Sequence, residues 1–384
     1  MQYKTLDSLC KVASGGTPSR SKKEYWDGGD IPWIKIGNIK SKVVSNADEY
    51  ITEAGLNNSS AKLFKKGTIL YTIFATLGEV GILDFDACTN QAIAGISIEK
   101  PEEITTDYLY YYLKSKKAEV NQIGRGVAQN NINLSILRKF SIPLRDIEDQ
   151  KTIVGSLNKV ESIIEKQKQQ LERLDELIKA RFVEMFSESK CGTKKLNEIT
   201  DIITKGTTPT TAGFEFTDSG INFFKIESIT EDHTINLNKV AHVSEECHKT
   251  LRRSQLREGD VLFSIAGAIG RTAIISKGDL PGNTNQALAI IRLSNDSGIS
   301  QKYLISALDS PEVFEQCRTQ KRGVAQINLS LQDVGNIEIP IPSPMKQKTF
   351  ELFAKQVDKS KFAVQKSLEK TQLLFDSLMQ EYFG

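Results

Sequence analysis

The sequence predicts an α+β protein with an internal pseudo-twofold repeat: two tandem globular domains, separated and followed by long α-helices that form an antiparallel coiled coil. Three observations predict this fold class. Strings of residues in 1–187 return in the same order in 193–384. Short apolar runs punctuated by glycine, typical of strands, fill most of each half. Each half then ends in a long segment whose apolar residues follow heptad spacing.

The first globular domain is expected over residues 1–148. Apolar runs at 31–36, 68–74 and 93–98 predict strands, and a helix is expected from Thr106 to about Lys117. The second domain, expected over 193–342, repeats this plan with strands at 220–226, 261–265 and 287–293 and a helix after Ser300. The strings shared by the two halves are Thr17-Pro18 and Thr208-Pro209, Lys35-Ile36 and Lys225-Ile226, Asn90-Gln91-Ala92 and Asn285-Gln286-Ala287, Gly126-Val127-Ala128-Gln129 and Gly323-Val324-Ala325-Gln326, and Ile132-Asn133-Leu134-Ser135 and Ile327-Asn328-Leu329-Ser330.

Two long helices are predicted, a central one over 149–188 and a C-terminal one over 343–384. Their apolar positions recur in steps of three and four, with polar residues between them. An amphipathic helix of this length must bury its apolar stripe, and the nearest partner is the other helix. The alternative is that each helix packs on its own globular domain. The residues expected in the helix–helix interface are Leu157, Val160, Ile164, Leu171, Leu174, Ile178, Val364, Leu368, Phe375 and Leu378.

Composition indicates a soluble globular protein, with 39% hydrophobic and 26% charged residues. No apolar run approaches the roughly 20 residues that span a bilayer, and the N-terminus has no apolar stretch like that of a signal peptide. We therefore expect a cytoplasmic protein without a membrane partner. The five cysteines are scattered and odd in number, which argues against a disulfide framework. The net charge is only +2, so binding to nucleic acid would require basic residues to gather on one face.

The order of globular domain, long helix, globular domain, long helix, together with these strings, resembles the specificity subunits (HsdS family) of type I DNA restriction–modification systems. The resemblance covers the whole chain. It is carried by Ser14-Gly15-Gly16-Thr17-Pro18-Ser19, by Gly259-Asp260-Val261-Leu262-Phe263-Ser264 and its first-half counterpart, by the paired strings above, and by Ile142-Pro143 and Ile339-Pro340 before the helices. Each string is weak alone, but the ordered, duplicated set is specific.

The resemblance implies a non-catalytic, DNA-binding subunit. Each globular domain would be a target recognition domain that reads one half of a bipartite, asymmetric site in double-stranded DNA. The helices would space the half-sites and dock two methyltransferase subunits, and translocase–endonuclease (restriction) subunits would join them. No cofactor is expected on this chain, because S-adenosylmethionine and ATP with magnesium would be bound by the partner subunits.

Candidate DNA contacts are basic residues and side chains with paired donors and acceptors, which suit phosphates and base edges. Residues shared by the halves favour framework or phosphate roles, and those that differ favour base reading. By this reasoning the two Asn-Gln pairs favour a structural role, with adenine contact as the alternative, and each basic cluster alone could be ordinary solvated surface. The candidates are Arg20, Lys22, Lys23, Lys35, Asn38, Lys40, Thr76, Arg125, Gln129, Asn130, Lys225, Ser228, Ala268, Arg271, Lys321, Arg322 and Gln326.

Catalytic motifs are missing from the sequence. There is no Pro-Pro-aromatic motif of an adenine methyltransferase and no Gly-x4-Gly-Lys-Ser/Thr loop. His242, Cys247 and His248 do not have the spacing of a zinc site, and Asp84 with Asp86 lacks the rest of a nuclease motif. No metal is therefore expected. Two rival hypotheses stay open: a pure assembly protein, in which DNA binding is incidental, and a fused nuclease or methyltransferase.

Overall fold

The computed structural model describes residues 2–125, 131–186, 192–319 and 328–384, with the backbone alone for 123–125. Contacts divide the chain into two units. Unit 1 comprises residues 1–167 and 367–384, and unit 2 comprises 168–366. None of the helices in the described stretches is both long and apolar enough to cross a membrane.

Most strands are short, and two helices are much longer than the rest. The strands are β1 (Gln2–Thr5), β2 (Cys10–Ser14), β3 (Ile31–Ile34), β4 (Val43–Val44), β5 (Glu49–Ile51), β6 (Leu63–Phe64), β7 (Ile69–Thr72), β8 (Val80–Leu83), β9 (Ala87–Thr89), β10 (Ile93–Ile98), β11 (Ser141–Leu144), β12 (Thr193–Lys195), β13 (Thr200–Lys205), β14 (Ile221–Phe224), β15 (Ala241–Val243), β16 (Val261–Ser264), β17 (Thr272–Ile274), β18 (Gly282–Thr284), β19 (Leu288–Leu293) and β20 (Glu338–Pro340). The helices are α1 (Leu6–Leu9), α2 (Glu53–Asn57), α3 (Thr106–Ser115), α4 (Lys117–Arg125), α5 (Leu134–Arg138), α6 (Ile147–Phe186), α7 (Glu245–Thr250), α8 (Gln301–Leu308), α9 (Pro311–Thr319), α10 (Leu331–Gly335) and α11 (Pro344–Phe383).

The sheets of the two units share one topology. Unit 1 has a main sheet in the order β2-β10-β7-β8-β4 and a small sheet in the order β5-β3-β9-β6. Unit 2 has a main sheet β13-β19-β16-β17 and a small sheet β15-β14-β18. In each small sheet one pair is parallel, β3 with β9 and β14 with β18. The repeat seen in the sequence is therefore also a repeat of strand order, and unit 1 adds β4 and β6 at the sheet edges.

Each main sheet packs its apolar side against a helix that begins at a hydroxyl cap. Thr105 accepts a hydrogen bond from the Tyr108 amide at the start of α3, and Ser300 accepts one from Tyr303 at the start of α8. The two tyrosines are buried and occupy matched places. The Tyr108 hydroxyl donates to the Pro143 carbonyl at 2.6 Å, and the Tyr303 hydroxyl donates to Pro340 at 2.9 Å. These bonds fasten each helix to the strand before the long helix.

Helices α6 and α11 contribute to both units. In unit 1, Leu157, Val160 and Ile164 of α6 share one apolar core with Phe375 and other residues of α11. In unit 2 the two helices run in opposite directions. Asp175 of α6 pairs with Lys361 of α11 at 2.6 Å. Phe182 comes later in α6, and its ring contacts that of Phe350, which comes earlier in α11.

Aromatic residues at the helix ends complete the two cores. Phe383, near the end of α11, lies with its ring centre 5.1 Å from that of Tyr108 in unit 1. Phe186, the last residue of α6, lies 5.2 Å from Tyr303 in unit 2. Both phenylalanines are almost fully buried. The C-terminal end of α11 therefore completes the core of unit 1, in which α6 begins. The C-terminal end of α6 completes the core of unit 2, in which α11 begins.

The α+β class, the tandem repeat and the long helices are confirmed. Helix α6 also packs on its own globular domain, because the Tyr111 hydroxyl donates to Asn158 at 2.6 Å. The expected strand at 31–36 is shorter than predicted. It ends at Ile34, because the Lys35 amide donates to the Asn38 side chain and starts a 3-10 turn.

Candidate nucleic-acid interface

A duplicated framework surrounds the Thr-Pro loop of each unit. The Asn90 side chain accepts a hydrogen bond from the Ala92 amide at 3.1 Å, and Asn285 accepts one from Ala287 at the same distance. The Thr17 hydroxyl donates to the Gln91 side chain, as Thr208 does to Gln286. The amide pairs thus hold the loops together in both units.

Glycine is required where this loop crosses the end of the small sheet. A Cβ atom on Gly15 would lie 2.0 Å from the Thr89 hydroxyl oxygen, and one on Gly206 would lie 1.8 Å from the Thr284 carbonyl oxygen. Both distances are far below van der Waals contact. Any larger residue would push the Thr-Pro loop off the sheet.

The β7–β8 and β16–β17 hairpins form a second duplicated feature. The Thr72 hydroxyl donates to the Thr76 carbonyl and accepts from the Glu79 amide, which braces the first hairpin tip. Ser264 makes the equivalent bonds to Ala268 and Arg271. These bonds leave Thr76, Ala268 and Arg271 exposed at the hairpin tips, where side chains can meet a partner.

The edge of the first small sheet carries a cluster of charged and aromatic side chains, here called the Arg20 cluster: Arg20, Trp26, Trp33, Lys35 and Glu49. The Arg20 guanidinium lies 3.6 Å from the centre of the Trp26 ring. Glu49 accepts hydrogen bonds from both Lys35 and Arg20. The Lys35 hydrogen bond, helped by Arg20, holds the pKa of Glu49 below its usual value.

The matched edge in unit 2 has different chemistry. The Lys225 ammonium lies 4.4 Å from the centre of the Phe216 ring. Strand register places Trp33 opposite Glu49 in unit 1 and Phe223 opposite Ala241 in unit 2. The carboxylate of the first edge is therefore replaced by a methyl group in the second.

The predicted contact residues fall into four groups. Arg20, Lys22, Lys23, Lys40, Thr76, Ala268 and Arg271 are exposed, while Lys35 and Lys225 are half-buried. Asn38 and Ser228 are buried. Gln129, Asn130, Lys321, Arg322 and Gln326, and the side chain of Arg125, lie outside the described residues, as do both Gly-Val-Ala-Gln strings.

Asn38 and Ser228 cap matched turns. The Asn38 amide oxygen accepts from the Lys35 backbone at 2.9 Å, and its nitrogen donates to Asp48 at 2.8 Å. The Ser228 hydroxyl accepts from the Lys225 amide and donates to the Lys225 carbonyl. The two residues differ in sequence but make the same turn-closing bond, so their polar atoms are already used within the chain.

Trp26, Glu49 and Phe216 were missed by sequence reasoning. The two aromatic residues could have been found from their closeness to Arg20 and Lys225 in the sequence. Glu49 gives no such signal, because strand pairing alone brings it beside Lys35. In the described part of the chain, no group of three or more His, Cys, Asp and Glu side chains is placed to hold a metal ion.

Comparison with known proteins links this chain to one family. The family model described as "Type I restriction modification DNA specificity domain" matches residues 1–174 and 188–373. The MjaIX specificity subunit of a type I restriction enzyme from Methanocaldococcus jannaschii is 35% identical over 188 residues, which are 48% of this chain and 43% of that protein. The EcoBI specificity subunit from Escherichia coli is 24% identical over 332 residues, or 77% of this chain and 69% of that protein.

Among solved structures, a chain from work on complex assembly and conformational transition of the type I R-M system is similar in fold. Its TM-score is 0.62 at 17% identity, and the match covers 100% of this chain and 97% of that one. The match to the MjaIX subunit, by contrast, spans less than half of that relative's length.

Proposed function

Because this chain belongs to the family of type I restriction modification DNA specificity domains, we propose that it is the sequence-reading subunit of a type I restriction–modification complex. In this proposal it performs no catalysis. It binds double-stranded DNA in the cytoplasm and positions two methyltransferase subunits, which carry S-adenosylmethionine and methylate adenine. Restriction subunits that use ATP and magnesium complete the assembly.

One observation carries the proposal: the two units present different side chains on the same framework. The Thr-Pro loop, the Asn-Gln-Ala turn and the braced hairpin are duplicated, whereas the exposed residues beside them differ. Two similar domains with different reading surfaces suit a bipartite, asymmetric DNA site. We assign the half-sites to recognition domains 1–148 and 193–342, and the gap between them to spacer helices within 149–188 and 343–384.

The proposed contact set keeps the residues whose side chains are accessible or lie outside the described residues. Asn38 and Ser228 are left out, because their polar atoms close turns. The remaining residues are Arg20, Lys22, Lys23, Lys35, Lys40, Thr76, Arg125, Gln129, Asn130, Lys225, Ala268, Arg271, Lys321, Arg322 and Gln326. Phosphate contacts from such basic residues would make binding weaken steeply with salt.

The test is to express the chain with the methyltransferase subunit encoded beside it and to map methylated adenines across the host genome. We expect one split motif with a fixed gap, absent when the chain is omitted. A stable complex that adds no methylation and binds no specific DNA would contradict the proposal. That outcome would favour the assembly hypothesis, in which the chain organises partners without reading sequence.

A further inference from the structure

We propose that Arg20 reads a guanine in the first half-site from the edge of the small sheet, while Lys225 at the matched edge supplies affinity without base preference. This inference rests on the proposed function. Of the two matched sheet edges, it assigns base specificity to the edge in unit 1 alone. It concerns the Arg20 cluster in unit 1 and the Lys225–Phe216 pair in unit 2.

The two edges occupy equivalent positions in the repeat. Lys35 and Lys225 each follow the central strand of a small sheet and start a 3-10 turn. The loop that carries the Thr-Pro pair is bonded to the small sheet in the same way in both units. The Gly16 amide donates to the Thr89 carbonyl at 2.8 Å, and the Thr207 amide donates to the Thr284 carbonyl at 3.1 Å. Differences in side chains at this place are therefore differences on one shared scaffold.

Arg20 is held ready to make a planar contact. Its guanidinium is stacked on Trp26 at 3.6 Å and is 5.0 Å from the Trp33 ring centre, and one terminal nitrogen donates to Glu49. The arginine side chain is nevertheless 54% exposed. A guanidinium has five N–H donors, so most remain available for a ligand. Stacking and the Glu49 bond reduce the conformational entropy that binding would cost.

Guanine is the base that this arrangement suits. Arginine donates in bidentate fashion to the guanine O6 and N7 atoms in the major groove, which is the commonest specific arginine–base contact. Glu49 acts here as a positioning residue that orients the guanidinium. Lys35 offsets the charge of Glu49, so that the carboxylate does not repel DNA phosphates.

Lys225 carries a compact ammonium group, whereas Arg20 carries a planar guanidinium that can donate two parallel hydrogen bonds. No carboxylate among the described residues pairs with it, and the Phe216 ring supports it at 4.4 Å. The charged groups of each edge sum to one positive charge: two cations and one carboxylate in the Arg20 cluster, and one ammonium in the Lys225–Phe216 pair. Only the first edge has the planar geometry that can discriminate between bases.

The experiment compares methylation motifs made by the full complex of this chain with its methyltransferase subunit. The variants are Arg20→Ala, Arg20→Lys, Lys225→Ala and the control Lys62→Ala, an exposed lysine beside β6 that lies outside the proposed contact set. We expect both Arg20 variants to lose about 10-fold or more of the preference for guanine at one position of one half-site. The gap and the other half-site should stay unchanged. Lys225→Ala should lower methylation at all sites without broadening the motif, and Lys62→Ala should leave the motif as it is.

Arg20→Lys guards against a folding artefact, because it retains the charge and only loses the planar fork. An unchanged motif in both Arg20 variants would overturn the inference while leaving the proposed function intact. The same broadening in Lys62→Ala would also overturn it. Absence of any motif with the unmodified chain would instead overturn the proposed function, and this inference with it.

Discussion

At the scale of single residues, one matched pair of positions at the two main sheets is occupied by an ion pair in unit 2 and by two hydroxyl groups in unit 1. In unit 2, Asp260 is fully buried and accepts two hydrogen bonds from the Arg292 guanidinium, both at 2.7 Å. At the matched place in unit 1, the Thr68 and Ser97 hydroxyls lie 3.2 Å apart. A buried ion pair is costly to break from one side, since the remaining charge keeps no partner.

Replacing Asp260 with Ala should therefore destabilise the protein strongly. We expect a loss of about 3 kcal/mol in the free energy of unfolding, at the low end for such pairs because Arg292 is 17% exposed. The double variant Asp260→Thr with Arg292→Ser, which copies unit 1, should lose much less. Urea unfolding measures both. Glu245→Ala, which removes the exposed pair with Lys249, is the control and should cause no measurable loss. A double variant as unstable as Asp260→Ala would contradict this account.

The site residues illustrate what sequence comparison between the halves could and could not predict. Differences between matched positions predict base reading, and Asn38 in unit 1 with Ser228 in unit 2 is one such difference. Both residues present an oxygen to the same backbone amide, so the substitution preserves a hydrogen bond and carries no recognition signal. Glu49 could not be predicted from the sequence, because only the register of β5 against β3 brings it next to Lys35.

At the scale of elements, the long helices were predictable and their contacts were not. Heptad spacing is a local property, so it indicated helices where α6 and α11 lie. Which domain each helix end joins depends on long-range packing that spacing does not encode. The heptad spacing therefore does not predict that Phe186 packs against Tyr303 and Phe383 against Tyr108 in the two cores. Coiled-coil packing along the two helices stays a prediction.

Phe383→Ala should destabilise unit 1, because it leaves a cavity against Tyr108 and Tyr112. Removing a buried phenylalanine ring costs about 3–5 kcal/mol. Phe186→Ala should cost a similar amount in unit 2. Leu373→Ala is the matched control on α11, since Leu373 is 69% exposed and should tolerate the change. Thermal unfolding compares the three variants, and a Phe383→Ala protein as stable as Leu373→Ala would show that the helix end contributes nothing to the core.

At the scale of the whole molecule, the proposed role of the helices is to set the gap between half-sites. Deleting one heptad from each helix, residues 168–174 and 360–366, keeps the apolar phase of both. At 1.5 Å per residue, the helices shorten by about 10 Å, or about three base pairs of DNA. The methylation motif should then keep both half-sites and lose about three base pairs from its gap. An unchanged gap would contradict the spacing role, and loss of either half-site would indicate damage to a recognition domain.

Unit 1 is built from two segments that lie far apart in the sequence, residues 1–167 and 367–384, and this sets an order of events during synthesis. Domains usually fold as they leave the ribosome, beginning with the N-terminal one. Here the first domain emerges early, yet Phe383, which covers Tyr108 and Tyr112, is synthesised only after all of unit 2. Until α11 has been synthesised, the nascent protein therefore leaves the apolar surface around Tyr108 and Tyr112 uncovered, and exposed apolar surface of this kind favours aggregation. A polypeptide truncated before residue 367 would lack this cover on its first domain.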